Sequence, residues 1–504
     1  MSFVMRNRRF GIATRLIALG LLVAACSDDA LDLTAQQPTT VAPEPSTTSE
    51  PLPTTSRPPR TTTTSSTVAP TTTAMATTTT LPVAPETAWA LRYTGGVGAA
   101  ATGEPVRIGY VNQDEFFPEA TVGLDAAIAF VNAELGGAAG RPIEVVRCVV
   151  ATVADGAKCG QQFADDASIV AVVTGTILFG NKDLYDVLNG RKPVLISNGV
   201  TTDDFTTPAG LTFSLGSVNV IPALALFATQ HLDPAPASAA LLYSDNTARR
   251  NAVEFLVQPV FASAGIPTTL VPVPDGIGAA ELAQSMQAVG ADTAELIVPV
   301  VTVQNCIAVY DAVQLLAIDP AVITTGLCSG PPMTAHLAAL GLLDPVPDGW
   351  YFAGNGYNFF APDEPSGMLT YVGKVRQYGP LGTGAAGAAP PTTTATLDPA
   401  APIDPAAPAA PDYTGFSAPV FANVLTLAKF ANALGPDALT SIGLEAQLRS
   451  FAGPMMLQAG DLQCGVEPYI AVCGHYAGVQ QYRAGVWTAI ADGTNGMAID
   501  VRPA

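Results

Sequence analysis

Few residues of this 504-residue chain are placed for bond-making chemistry. Its three histidines, His231, His336 and His475, are scattered, and none stands near a Ser/Asp constellation in sequence. No G-x-S-x-G elbow, H-E-x-x-H helix or G-x-x-x-x-G-K-[ST] loop occurs, so nucleophilic, zinc-hydrolytic and phosphate-loop chemistry lack their signatures. Gly136-Gly137 and Gly140 come after a helical stretch, not between a strand and a helix, which removes a dinucleotide fingerprint. No carboxylate pair is singled out. Without a C-x-x-C motif, and with histidines this dispersed, no metal site is expected. The chain is expected to be neither an enzyme nor a cofactor protein.

What remains is hydrogen-bonding chemistry. Polar residues recur just past short apolar runs. Asn112, Gln113 and Asp114 follow Val106–Val111, Thr176 follows Ile169–Thr174, and Ser197 and Asn198 close Pro193–Ser197. Further along, Asp245 and Asn246 follow Ala239–Tyr243, Thr302 and Gln304 follow Glu295–Val300, and Ser329 follows Val322–Gly326. Such positions bind small polar ligands when the runs are parallel strands, because ligands sit beyond the carboxyl ends where helix N-termini present free N–H groups. The same residue types also cap helices and shape turns, which is the competing role for Asp245, Asn246 and Asn198.

The elements that would position these residues alternate. Between the apolar runs lie helical periods, such as Leu124, Ile128, Val131 and Leu135 at i, i+4, i+7 and i+11. Further strands are expected at Ile143–Val150, Phe213–Leu215, Thr268–Val273 and Trp350–Ala353. Helices are expected near 155–167, 182–189, 221–230, 248–264, 279–289, 304–317 and 333–340, with Pro259 kinking or shortening its own. Strand–helix alternation means right-handed crossovers and parallel sheets covered on both faces. About ten strands, broken at Pro234-Ala235-Pro236, fit two doubly wound lobes better than a barrel.

Composition bounds the partners. The chain is 48% hydrophobic, only 13% charged, and carries 42 acids against 22 bases for a net charge of −20. Phosphate neutralisation needs a basic face, so nucleic acid is not an expected partner. Beyond the first 30 residues no apolar run is long enough to span a bilayer. The N-terminus itself reads as an export signal: Arg6, Arg8, Arg9 and Arg15 precede the apolar run Leu16–Ala25, too short for a settled span. Val23-Ala24-Ala25-Cys26, followed by polar Ser27-Asp28-Asp29, resembles the lipobox of bacterial lipoproteins, which implies cleavage after residue 25 and a diacylglycerol on Cys26. Residues 34–87 then hold 20 Thr and 10 Pro, a composition that forms no core. A disordered tether is expected over 26–103.

From residue 104 the chain resembles the type I periplasmic-binding fold of the branched-chain amino-acid and amide receptors of ABC importers. The resemblance rests on the order of several segments: Val106-Arg107-Ile108-Gly109-Tyr110, Val172-Val173-Thr174-Gly175-Thr176, Pro193-Val194-Leu195-Ile196-Ser197, and the late pattern Tyr371…Tyr378-Gly379 then Phe416…Phe421-Ala422-Asn423…Gly435. It implies two doubly wound parallel-sheet α/β lobes joined by a multi-strand hinge that the chain crosses three times. Lobe 1 would be 104–232 with 355–452, interrupted by a low-complexity surface insertion at 380–411. Lobe 2 would be 233–354 with 453–504. The resemblance also implies that the Thr176 and Ser197/Asn198 loops hold a ligand carboxylate, with Asp114 or Asp245 facing an ammonium. The expected partners are then a small amino-acid-like or amide solute, ABC permease subunits, and the outer face of the cell membrane through the lipid. A monomer is expected. The alternative is a ligand-sensing or protein-interaction module of the same fold without a transporter.

The sequence departs from the family at the site. Where many relatives have an aromatic-Gly pair, this chain reads Asp245-Asn246-Thr247-Ala248-Arg249-Arg250, and no clear acid for an α-amino group follows Val300. These departures weaken the amino-acid reading and point to a larger, more apolar ligand or an altered role. The six cysteines beyond Cys26 allow 15 pairings. Sequence proximity suggests Cys148–Cys159, Cys306–Cys328 and Cys464–Cys473, each stabilising by roughly 3 kcal/mol in the chain-entropy picture. A bridge at Cys306–Cys328 would brace a cleft wall.

Overall fold

The strands form where β-branched and other apolar residues run together, and they collect into two sheets. The computed structural model describes residues 84–355, 367–379, 416–458, 460–491 and 498–502, all within one compact unit. The expected signal peptide, Cys26, most of the expected tether and the insertion 380–411 lie outside them. Lobe 1 carries β1 (Val106–Asn112), β2 (Ile143–Val149), β3 (Ile169–Thr174), β4 (Val194–Ile196) and β5 (Gly210–Leu211), in the order β2-β1-β3-β4-β5. Every pairing in this sheet is parallel. Continuous apolar runs such as β3 suit a sheet buried on both faces.

Helices Pro118–Glu134 and Ser417–Leu434 cover one face of lobe 1, burying Leu124, Phe130, Val131, Phe421, Val424 and Leu425 in one core. Each large side chain so buried contributes roughly 1.5–3 kcal/mol. The two helices approach closely because Gly123 has no side chain; a Cβ there would lie 2.2 Å from the Ser417 carbonyl oxygen. On the opposite face Phe163, Leu184 and Leu188 pack beneath β1, β3 and β4.

Lobe 2 contains β6 (Ala239–Ser244), β7 (Thr268–Val273), β8 (Leu296–Val300), β9 (Ala321–Thr325), β10 (Tyr351–Gly354), β11 (Tyr476–Arg483), β12 (Val486–Ala491) and β13 (Ile499–Asp500). Its order is β12-β11-β10-β9-β8-β6-β7, with β13 on β11. The first five are parallel, whereas β11, β12 and β13 add an antiparallel edge that strand–helix alternation did not anticipate. The β11–β12 hairpin turns on Ala484 (φ 51°) and Gly485 (φ 80°), the left-handed pair a two-residue turn requires.

Four expectations need correction. Residues 85–94 are not tether but a helix, Pro85–Thr94. Its signals are local: Pro at the first position, Glu86 in the first turn, Arg92 in the last, and left-handed Gly95 (φ 68°) as the C-cap. Trp89 stacks on Tyr93 at 5.2 Å, and the Tyr93 hydroxyl meets Thr426 Oγ1 at 2.8 Å, which docks this helix onto lobe 1. Second, helix Gly216–Gln230 packs Ile221, Leu224 and Phe227 against the lobe 2 sheet, so lobe 2 takes over before residue 232. Third, Met455, Met456, Leu462 and Cys473 bury in the lobe 1 core, so the last return to lobe 2 comes near residue 474, not 453. The strand expected at 213–215 lies instead at Gly210–Leu211, because Thr212 already pairs with the returning chain near Val472. The helix around Pro259 stays continuous through a π-turn at Val253–Val257, which accommodates the N–H that proline lacks.

The chain therefore passes between the lobes near Leu215–Gly216, at Asn355 and near Gly474–His475. These passes are bonded to one another. Leu215 N–H donates to Asn355 Oδ1 at 3.0 Å, Thr212 N–H to the Ala471 carbonyl at 2.7 Å, and Asn219 Nδ2 to the Gly474 carbonyl at 2.8 Å.

Candidate functional site

A cavity of about 230 Å³ opens beside these crossings, between the two cores. Lobe 1 contributes Asn198, Gly199, Val200, Phe416 and Pro419. Lobe 2 contributes Ser217 and Ile221 from helix 216–230, Arg249, the turn Thr325–Ser329, Phe352 from β10, Gln480 from β11 and Trp487 from β12. The walls are mainly apolar and aromatic. No carboxylate lines the cavity among the described residues.

Each wall has a local cause. Asn246 caps helix Thr247–Ala252 by accepting the Arg249 N–H at 2.9 Å, which sets Arg249 in the first turn. The Cys306–Cys328 disulfide ties the start of helix Val303–Leu316 to the turn Gly326–Ser329 and so braces the wall at Leu327 and Ser329. Cys148–Cys159 and Cys464–Cys473 also pair. The loop Asn198–Val200 is held from below by Asp204, which is buried. Its carboxylate accepts from Val200 N–H and Thr201 N–H at 2.9 Å each, from Tyr185 Oη at 2.6 Å and from Asn181 Nδ2 at 2.7 Å. Burial pushes the Asp204 carboxyl pKa up against those donors. The Phe205 ring then fills the space a side chain would need at Gly199 and Gly216, with ideal Cβ contacts of 2.7 and 2.8 Å.

Electrostatically, Arg249 dominates the cavity. Its neighbour Arg250 lies 3.8 Å from Asp245, but the Arg249 guanidinium makes no hydrogen bond or ion pair with any described residue. Desolvation lowers its pKa from the ordinary arginine value, a sign of a cation held in poorly hydrating surroundings. Ser217, Thr325 and Gln480 likewise have side chains without a hydrogen-bond partner among the described residues, although Gln480 is only 8% exposed. Donors with open valences facing a part-buried space are what an anionic or acceptor-bearing ligand needs.

Of the eleven residues singled out from sequence, Asn198 and Ser329 line this cavity, and Thr302 stands at the N-cap position of helix Val303–Leu316. The others are elsewhere. Asn112 is buried and fully engaged: its Oδ1 accepts from Thr176 N–H at 2.8 Å, and its Nδ2 donates to Asp114 Oδ1 at 2.8 Å and to the Phe117 carbonyl at 2.9 Å. Gln113 Oε1 accepts from Leu178 N–H at 2.6 Å, and Asp114 also accepts from Thr121. Thr176 is fully buried. Ser197 accepts from Asn423 Nδ2 at 3.0 Å and, with Asn423, borders a second void of about 10 Å³, the size of one water. Asp245 faces Arg250, Asn246 is the helix cap described above, and Gln304 is exposed. Asn305, beside it, is the buried residue, donating to the Val273 carbonyl at 3.1 Å.

Arg249, Ser217, Thr325, Gln480 and the aromatic walls were missed. Arg249 had a signal: it is a cation in a chain with only 13% charged residues, at a strand-to-helix turn. Gln480 had no such signal: it follows the short run Ala477–Val479 and precedes Gln481, and the strand carrying it was not foreseen.

No protein-family model matches the chain, and no curated protein does. Solved structures do. An ABC transporter substrate-binding protein from Desulfitobacterium hafniense, complexed with Leu, superposes with a TM-score of 0.55 at 15% identity, covering 77% of this chain and all of that one. An ABC transporter substrate-binding protein from Sphaerobacter thermophilus gives 0.56 at 14%, covering 79% and 99%. A solute-binding protein from R. palustris, in complex with 4-hydroxybenzoate, gives 0.54 at 12%, covering 79% and 98%. The chain has the type I periplasmic-binding fold.

Proposed function

We propose that this protein is an extracytoplasmic solute-binding protein that captures one small organic molecule between its lobes and presents it to an ABC permease. The observation that carries this reading is the cavity at the hinge, whose walls come from both cores and in which the Arg249, Ser217, Thr325 and Gln480 side chains are open among the described residues. A ligand that touches both walls favours the closed arrangement by its differential contacts, which is how a population shift works. The Leu and 4-hydroxybenzoate complexes of the similar structures support a solute role. Export and anchoring rest on the segment before the folded part. Lipidated Cys26 holds the chain at the outer face of the membrane, and the Thr/Pro-rich tether lifts the lobes off it. Among the described residues, no helix is long and apolar enough to cross a membrane. The protein acts without turnover.

Thermal-shift screening tests the reading with amino acids, amides, short peptides and small carboxylates. A true ligand at one hundred times its Kd stabilises the fold by about 2.7 kcal/mol, and the compound is recovered unchanged. Absence of any saturating stabiliser, or appearance of a product, contradicts it.

A further inference from the structure

Resting on that reading, we infer that the solute is an apolar, ring-sized monocarboxylate without an ammonium group, its carboxylate paired with Arg249. The cavity has a cation and no counter-ion among the described residues. An α-amino acid carries both charges, and here only one finds a partner. Asp114 and Asp245, the acids expected for an ammonium, lie away from the cavity, engaged with Asn112 and Thr121 and facing Arg250 respectively. Burying an ammonium beside Phe352, Phe416 and Trp487 without a carboxylate costs several kcal/mol. A carboxylate, by contrast, forms a two-pronged charge-assisted pair with a guanidinium and relieves the isolation of that charge.

Size and wall chemistry agree. A dry cavity of ~150 Å³ holds a benzene ring, so about 230 Å³ accommodates one ring with its carboxylate. Aromatic walls on both lobes offer that ring offset or edge contacts. Ser217 and Gln480 supply donors for a second carboxylate lone pair or a ring substituent.

Calorimetric titration of the purified full-length chain at neutral pH tests the inference with benzoate, cyclohexanecarboxylate, benzamide, L-phenylalanine and L-leucine. Benzoate or cyclohexanecarboxylate binds, and benzamide and both amino acids bind at least about tenfold more weakly, as loss of a charge-assisted bond requires. Arg249→Gln weakens carboxylate binding about 10- to 100-fold and leaves benzamide within threefold, a selectivity that a merely structural role does not produce. Arg249→Lys falls between the two and serves as the folded control. Equal affinity for benzoate and benzamide overturns the inference, as does an equal loss for both in Arg249→Gln. Preferred binding of an amino acid overturns it while leaving the solute-binding role standing. Binding by none of the five overturns the inference, and the wider thermal-shift panel then decides the role.

Discussion

The loops at the carboxyl ends of β1 and β3 and the cavity beside the hinge are both rich in polar side chains, but they use them differently. In the β1 and β3 loops Asn112 joins Thr176, Asp114 and Phe117, and Gln113 joins Leu178. Much of the hydrogen-bonding capacity of that loop cluster goes into holding its own backbone, while Gln113 Nε2 and Thr176 Oγ1 are buried without a partner among the described residues. Around the cavity, Arg249, Ser217, Thr325 and Gln480 keep their side-chain donors and acceptors open among the described residues. Fold position alone therefore does not identify a binding residue. Both sets occupy places where this architecture binds ligands, and the clearest difference is that the Asn112 and Asp114 side chains are bonded within the fold whereas the Arg249 guanidinium is open among the described residues.

The largest expected effect is at the anchor beneath the cavity-lining loop Asn198–Val200. Asp204→Ala removes one acceptor from four donors and leaves Tyr185 Oη, Asn181 Nδ2 and two backbone N–H groups buried without it. A loss of roughly 3–5 kcal/mol in urea denaturation is expected. An unchanged midpoint would mean that the Asn198–Val200 loop does not depend on this anchor. Next comes Asn112→Ala, expected to cost about 1–3 kcal/mol by leaving the Thr176 N–H unpaired. If stability holds while ligand affinity falls, the β1 loop is a binding element after all, and the comparison is reversed.

Two pH effects sharpen the division between docking and hinge regions. Glu134 sits on the lobe 1 surface where the first helix docks. Burial alone raises its pKa, but hydrogen bonds from Lys374 Nζ at 2.7 Å, Thr87 Oγ1 at 2.5 Å and Tyr378 Oη at 2.6 Å outweigh it, and the carboxyl lies below its usual 4.5. A depressed carboxyl stabilises the fold above its unfolded pKa and loses that contribution as pH falls. Docking of Pro85–Thr94 should weaken below about pH 4.5, read by hydrogen exchange of its amides, and Glu134→Gln should remove that dependence. At the hinge, burial lowers the pKa of His475, whose Nδ1 accepts from Asn219 at 3.2 Å while Nε2–H donates to the Gln463 carbonyl at 2.8 Å. Arg502 acts in the same direction, and Asp500 opposes it. Since the neutral ring is the native form, its contribution is present above pH 6.5 and lost as pH falls through the depressed value. Replacing His475 with Gln should flatten stability over that mildly acidic window.

The smallest effect on folding is expected in the cavity. Ser217→Ala should change stability by less than about 0.5 kcal/mol and weaken carboxylate binding about two- to tenfold. A large stability loss would mean that the hydroxyl is already engaged within the fold.

Much of the architecture was legible in the sequence because buried parallel strands are largely apolar runs, and β3, β6 and β8 stand where those runs stand. The β11–β12 hairpin was not, since its turn uses Ala484-Gly485 where Asn-Gly is the recognisable signal. The first helix had its start and stop residues in plain view, but they adjoin a Thr/Pro-rich stretch whose composition dominated the reading. The site was legible in outline only. Asn198 and Ser329 were marked by their place after strands, but so was Asn112, and no local pattern tells a residue that borders the cavity, as Asn198 does while donating to the Phe416 carbonyl at 3.0 Å, from one that does not. Arg249 is conspicuous only in three dimensions, where no carboxylate lines its cavity among the described residues.

The most direct test is a crystal structure of the protein with its tightest-binding carboxylate. The account predicts ligand density between Phe416 and Trp487, with its carboxylate within hydrogen-bonding distance of Arg249. Density instead in the β1 loop at Asp114 and Thr176, or outside the interlobe cavity, would contradict it.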